Sequence, residues 1–286
     1  MKKLLITFFV IVGTFFVYKN ANKLEPEVKN YHNIKNIEYY DEADCFFKDA
    51  SEEDIVLFDV DETLTTSNDF LARGFQPPLL FKAYLAIAYF SEIFKQNKAE
   101  ELYSRIWKQS PRFLVENCIK NKIDELKNRG CSVLALTAIN SGKCGVIENM
   151  PVWRYENLKK LGIEFSQNFE DCSYEQLKAF RGTYPVLFKG ILCCNRCSKG
   201  DVLEAFLKQN SSYFKEKNIK PRITFFDDKY YELLSVGQTC KKLNLNYNLY
   251  WYNGAKRSGG NKFNYTETRK RIKRLVETGS WDEVTA

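Results

Sequence analysis

Histidine is almost missing from this chain. One residue in 286, His32, is histidine, and it lies far from any motif described below. That excludes a Ser-His-Asp triad, an H-E-x-x-H zinc site and a phosphohistidine mechanism. No cysteine is followed six positions later by arginine, so a cysteine-phosphatase loop is absent. Neither G-x-G-x-x-G nor G-x-x-x-x-G-K-[ST] occurs. Fourteen glycines and seven prolines are too few for a collagen or a low-complexity linker protein. Nine cysteines is an odd number without the spacing of a disulfide framework, and a chain of this length does not need one. Cys193, Cys194 and Cys197 cluster, but without histidine or a second C-x-x-C a structural zinc site lacks its fourth ligand. They read as ordinary or loosely redox-active thiols. Chemistry is left to carboxylates, hydroxyls, lysines or a metal.

What is present describes a packed domain. The apolar fraction is 44% and the charged fraction 28%, enough for one large domain or a core with a sizeable insertion. The net charge of +7 is concentrated between Gly254 and Leu275, where eight basic residues face Glu267 alone. The rest of the chain is close to neutral. Lys2 and Lys3 precede an uncharged apolar run from Leu4 to Tyr18, the pattern of a secretory signal or short membrane anchor over residues 1–19. The expected location is therefore membrane-anchored or exported. Residues 20–50 read as a polar linker.

Apolar runs then alternate with helical patterns. Ile55–Val60, Ser132–Thr137, Tyr184–Cys194 (a hairpin through Lys189-Gly190), Ile223–Asp228 and Tyr247–Tyr252 read as strands. Their apolarity is continuous, which suits strands covered on both faces. Helices are expected over Glu116–Asn128, Val152–Leu161, Gly200–Lys208 and Tyr230–Leu243. The fold class is thus α/β, a Rossmann-like three-layer sandwich with a mostly parallel central sheet. Ligands of such sheets sit at the carboxyl ends of the strands.

Four strand ends carry a coherent set of groups. Asp59 and Asp61 leave the first strand two residues apart and share a direction if the backbone stays extended. Thr137 closes the second strand, and Asp227-Asp228 close the fourth. Lys199 stands ahead of an amphipathic helix whose N-terminus favours anions. Lys189-Gly190 offers a competing lysine, but only Lys199 precedes a clear helix. Buried carboxylates stay ionised only when compensated, and a hard divalent cation such as Mg²⁺ suits an oxygen site open to phosphate. Acids for a metal, a hydroxyl and a lysine for phosphate oxygens, and one carboxylate to attack phosphorus make a phosphoryl-transfer site.

This constellation resembles the haloacid dehalogenase (HAD) superfamily over roughly residues 53–252. Asp59-Val60-Asp61-Glu62-Thr63 is similar to its first motif, D-x-D-x-T; Thr137, Lys199 and Asp227-Asp228 resemble the second, third and fourth. The resemblance implies a Mg²⁺-dependent phosphatase. In it Asp59 would be the nucleophile and Asp61 the acid and base. Thr137 and Lys199 would hold the phosphoryl group. Asp59, Asp61 through its backbone carbonyl, and Asp227 would hold the metal. Asp228 is either a further ligand or orients Lys199, and Thr63 shapes the turn. An aspartate at 61 resembles the phosphatase branch, and the chain is most similar to a poorly characterised bacterial group.

The core is accordingly expected over 51–66 and 116–253. Residues 67–115, with apolar Leu79–Phe94 and a helical Ala99–Trp107, resemble a HAD cap insertion; helices simply packed on the sheet are the alternative. Arg196, near Lys199, is placed to reach an anionic substrate or to be merely solvated. Residues 254–286 form a basic tail, with a helix over Thr266–Glu277 carrying Ile272, Leu275 and Val276 on one side. The expected partners are a small phosphorylated substrate and, for the tail, an anionic membrane surface; nucleic acid is not expected. Two other readings stand beside the enzyme: a HAD-like binding or scaffolding protein without turnover, and an interaction protein acting through the tail.

Overall fold

A computed structural model describes residues 34–73, 96–258 and 264–282. The expected signal or anchor over 1–19, the start of the linker and the apolar run Leu79–Phe94 lie outside these residues. Among the described residues no helix is long and apolar enough to cross a membrane.

Ten strands are described: β1 (Ile34–Ile37), β2 (Asp54–Phe58), β3 (Thr65–Thr66), β4 (Phe113–Leu114), β5 (Ser132–Thr137), β6 (Cys172–Ser173), β7 (Val186–Phe188), β8 (Ile191–Cys193), β9 (Arg222–Asp227) and β10 (Tyr247–Tyr252). The helices are α1 (Asp44–Asp49), α2 (Gln96–Gln109), α3 (Cys118–Asn128), α4 (Met150–Lys160), α5 (Lys199–Gln209), α6 (Ser211–Glu216), α7 (Tyr230–Lys242) and α8 (Tyr265–Thr278). Eight strands form one sheet in the order β1-β10-β9-β2-β5-β8-β7-β6, with β7 alone reversed, so that it pairs antiparallel with both β8 and β6.

Alternate residues of the central strands enter different layers. Val56, Phe58, Val133 and Ala135 pack with Ile119, Ile123 and Leu126 of α3 and with Leu158 of α4. Ile55, Leu57, Leu134 and Leu136 pack with Val202 and Phe206 of α5 and with Leu233 and Val236 of α7. A strand with both faces covered has no use for polar alternation, which is why these segments are apolar throughout. The molecule is a Rossmann-like α/β sandwich with helices on both sides of a mostly parallel sheet.

Two expectations change. The linker assigned to 20–50 does not hold from Ile34 onward. β1 extends the sheet beside β10, and Tyr40, Phe46 and Phe47 are buried in the core. These aromatics come as adjacent pairs, Tyr39-Tyr40 and Phe46-Phe47, with acids between them, so the segment lacks a recognisable period. The tail is not a tail over its described part: α8 buries Ile272 and Leu275, and Trp281 beyond it, against Leu71, Ala72 and Ile106 of the insertion. Val276, expected on the same side, is half exposed. The insertion, open between a cap and helices packed on the sheet, is tied to the core at two places. β3 and β4 pair as a hairpin at its two ends, and Trp107 of α2 stacks on Trp153 of α4.

Candidate active site

The chain order of the strands creates the site. From β2 the chain moves outward through β5 and β8, then crosses back to place β9 on the other side of β2. The boundary between β2 and β9 is therefore the switch point, where an open α/β sheet leaves a crevice at its carboxyl edge. Asp59 follows β2 and Asp227 ends β9, and the Asp59 N–H donates to the Phe226 carbonyl at 2.9 Å, drawing the two ends together. Beyond Asp59 the chain reverses. Thr65 N–H donates to the Val60 carbonyl, Glu62 N–H to the Thr65 carbonyl, and Glu62 takes a left-handed φ of 63°. Such a conformation costs a non-glycine residue on the order of 1 kcal/mol.

Lys199 arrives from the opposite layer. It opens α5, whose N-cap Ser198 accepts from Asp201 N–H at 3.0 Å. Gly200 lets α5 lie close on α7. A Cβ there would stand 2.5 Å from the Ser235 carbonyl oxygen and 2.7 Å from Thr239 Oγ1. The Lys199 ammonium is buried and donates to Asp59 Oδ1 at 2.5 Å and Asp227 Oδ2 at 2.6 Å. Asp59, Asp227 and Asp228 each present a carboxylate oxygen within 4.8 Å of the others. Asp227 Oδ1 also accepts from Lys229 N–H at 2.7 Å.

Burial pushes the Asp227 carboxyl up to about 7, reinforced by Asp59 and opposed by Lys199. Burial, then the Asp59 and Asp227 charges, drive Asp228 well above the carboxylate range. Burial would lower Lys199, but Asp227 and Asp59 outweigh it and hold it well above a free lysine. Lys229 is likewise raised, to about 12, because Asp59 and Asp228 overcome its burial.

Buried polarity alone does not mark a site. Asp54, at the amino end of β2, is fully buried yet satisfied, with Arg222 Nε and Nη2 at 2.6 Å and Ser51 N–H at 2.8 Å. At the carboxyl edge, Asp59 Oδ2, Asp228 Oδ1 and Thr137 Oγ1 are buried without a hydrogen-bond partner. Unsatisfied buried oxygens cost about 1–3 kcal/mol each and are rare without a purpose. Thr137 ends β5, the neighbour of β2 on the side away from β9. The structure thus gathers Asp59, Asp227, Asp228 and Lys199 directly, and sets Thr137 on the adjoining strand end. Lys189 instead turns the β7–β8 hairpin, near Asp171.

The Asp61 side chain, expected as acid and base while its backbone carbonyl serves the metal, faces two arginines. Its carboxylate is outside the acid cluster. One oxygen takes the Arg112 guanidinium and the other Arg154 Nη2 at 2.7 Å, all three side chains being buried. Burial would raise the Asp61 carboxyl, but Arg154 and Arg112 hold it below the usual range. Neither arginine was expected at the site. Arg154 lies inside a weakly amphipathic helix and Arg112 next to the insertion's end, where a lone arginine reads as solvated. Two of the clustered cysteines, Cys193 and Cys194, are buried with raised thiols, and all nine are free.

A cleft of about 480 Å³ is lined by residues that follow the β5 and β9 ends, by the loop ahead of α5 and by the insertion helix. Ala138 and Lys229 contribute from the sheet side, Tyr103 and Trp107 from α2.

A family model matches residues 27–275, the sheet, the insertion and most of α8 together. The chain belongs to that family, described as a protein of unknown function (DUF2608). This DUF2608 protein is 36% identical over 103 residues to an uncharacterised protein of Rickettsia felis, covering 34% of each chain. It is 33% identical over 160 residues to one of Rickettsia typhi, covering 51% of this chain and 53% of that one. It is 27% identical over 161 residues to one of Rickettsia prowazekii, covering 56% and 57%. The matched stretches thus span about a third to just over half of these relatives. No solved structure matches the DUF2608 chain significantly.

Proposed function

We propose that the protein is a Mg²⁺-dependent phosphomonoester hydrolase of the HAD type, with Asp59 as nucleophile. The supporting observation is the set of unpartnered, buried oxygens on Asp59, Asp228 and Thr137 beside a buried lysine that already bridges Asp59 and Asp227. This donor set is all oxygen, which fits a hard divalent cation. Asp59, Asp227 and Asp228 would hold it. When bound, Mg²⁺ would neutralise charge on the phosphate oxygens.

The residues divide the work. Lys199 fixes the Asp59 carboxylate by one oxygen, leaving Oδ2 to attack phosphorus as the ester P–O bond breaks. Thr137 Oγ1 and the Lys199 ammonium stabilise the oxygens of the transferring group. Asp61, ionised with one oxygen on each guanidinium, can take the proton of the water that hydrolyses the aspartyl-phosphate only when one of those contacts opens. Until then it also has no proton to give a leaving group. An aryl phosphate, whose phenolate leaves without protonation, is therefore the appropriate first substrate. Asp59→Asn should stay folded by circular dichroism and lose Mg²⁺-dependent aryl phosphate hydrolysis by at least about a thousandfold, the scale of losing a nucleophile. Activity equal to wild type would refute the assignment.

The Arg112–Asp61–Arg154 clamp favours one second reading, a phosphate-binding protein without turnover. It would bind inorganic phosphate with Mg²⁺ and release no product from any ester. On either reading the outer face of α8, with exposed Arg269, Lys270 and Lys273, is available to an anionic membrane surface.

A further inference from the structure

The cleft beside the acids has a composition that the phosphoryl chemistry does not require. Three of the four groups have a lining residue close by in the chain, Ala138 after Thr137, Lys229 after Asp227-Asp228 and Cys197 two before Lys199, whereas Asp59 has none. A phosphoryl group on Asp59 that is held by Thr137 and Lys199 would carry its organic substituent toward this space. The walls there are aromatic and contributed from two sides. Tyr103 and Trp107 come from the insertion helix α2, and Tyr231 from the first turn of α7. Met150 and Ile139 add apolar surface between them.

The insertion wall is braced. Trp107 stacks on Trp153 with centroids 6.3 Å apart, and the Arg154 guanidinium lies 5.1 Å from the Trp153 ring. Arg181 pairs with Glu100 at 2.6 Å, and Val146 N–H donates to Ser104 Oγ at 2.8 Å, tying α2 to the core. Gly145 passes so close to α2 that a Cβ would stand 2.2 Å from Ser104 Oγ. Tyr231, by contrast, is 59% exposed, a large ring left in solvent at the cleft mouth. Arg196 completes the lining in a strained conformation. It and Asn195 are successive left-handed residues, with φ of 70° and 48°. Asn195 is locked by Ser141 N–H and the Thr183 carbonyl, which sets the Arg196 guanidinium 3.8 Å over the Phe180 ring. Strain of this kind concentrates at functional sites.

We propose that this cleft selects small phosphomonoesters that bear a flat aromatic group, held between the Tyr103–Trp107 wall and Tyr231. The volume is in the range of small-molecule sites, and stacking is the interaction such walls offer most readily. The inference rests on the hydrolase reading for the position of the phosphate, and the following experiment separates the two.

Two pairs differ in an aromatic group: adenosine 5′-monophosphate against ribose 5-phosphate, and O-phosphotyrosine against O-phosphoserine, the second also exchanging an alkoxide leaving group for a phenolate, so that binding decides it. Turnover is measured with Mg²⁺ on the full chain, and binding of the same compounds by isothermal titration. At least one aromatic member should show a KM or Kd about tenfold lower than its partner, the scale of one stacked ring. The pair that does so tells a heteroaromatic base from a phenol ring. Tyr231→Ala, at an exposed position where folding is not at risk, should reduce that ratio severalfold; Trp107→Ala should bring it close to one. Aromatic preference in binding with no turnover of any ester would support the cleft and overturn the hydrolase. Equal constants within both pairs, or ratios indifferent to Tyr231→Ala, would overturn the cleft.

Discussion

Replacing Lys199 by methionine tests the electrostatics of the site directly. Methionine fills much the same space without the ammonium. Asp59 and Asp227 lose donors at 2.5 and 2.6 Å, and Asp228 remains within 4.8 Å of both. Removing one partner of a buried ion pair typically costs about 3–5 kcal/mol, because the remaining charge stays out of water. That is a large share of a domain's total stability of about 5–15 kcal/mol. The acids can escape part of the cost by taking up protons, since Asp227 already titrates near 7. The loss should therefore be close to the full figure at pH 8 and smaller at pH 6.

Urea denaturation followed by circular dichroism gives the readout. With a slope of about 3 kcal/mol per molar for a chain of this size, a loss of about 3 kcal/mol moves the midpoint down by about 1 M. Mg²⁺ should then recover more stability in Lys199→Met than in wild type, because it replaces the missing positive charge. A ligand at about a hundred times its Kd adds about 2.7 kcal/mol. A variant within about 1 kcal/mol of wild type at pH 8, or one indifferent to Mg²⁺, would refute the reasoning.

Two further outcomes are expected. Burial raises Asp227 to about 7, so a proton must leave before that carboxylate can bind a metal; lowering the pH from 8 to 6 should weaken Mg²⁺ binding about tenfold or more, and calorimetry in buffers of different ionisation enthalpy should register the released protons. Gly200→Ala places a methyl 2.5 Å from the Ser235 carbonyl oxygen, forcing α5 off α7 and moving Lys199 with it; it should cost about 1–3 kcal/mol in urea denaturation and reduce hydrolysis, whereas Gly182→Ala, with open space around it and only a φ of 76° to strain, should cost about 1 kcal/mol and spare activity.

How legible all this was in the chain follows from the range of the interactions involved. β5 and β10 were readable to the residue, because continuous apolar runs bounded by polar ends leave few alternatives. The Lys189-Gly190 hairpin was readable from its turn residues, which take φ of 49° and 77°. The strand-end acids were readable because a carboxylate leaving a buried strand must be compensated. What escaped was whatever depended on partners distant in sequence. Tyr40 is in the core because it stacks on Tyr252 at 4.4 Å, more than two hundred residues away. Arg112 and Arg154 find Asp61 across 51 and 93 residues, and nothing in their own neighbourhoods marks them. Trp281 is fully buried only because the insertion offers Leu71 and Ile106 as a floor. A local pattern shows which residues want burial or compensation; it does not show what supplies it.

The charges of the site explain why raised carboxylates and a divalent cation belong to one design. Four acids, at 59, 61, 227 and 228, meet four bases, Lys199, Lys229, Arg112 and Arg154. With Asp227 and Asp228 protonated, as burial favours, the set carries an excess of two positive charges. With both ionised around a divalent cation, four negative charges face six positive ones, and the excess is again two. Protons and metal are thus interchangeable in charge, and either state presents the same net charge to a phosphate dianion. What the exchange changes is local. The protonated pair leaves the positive charge on the lysines and arginines around the crevice, whereas a cation held by Asp59, Asp227 and Asp228 concentrates it among the unpartnered oxygens there, Asp59 Oδ2 included.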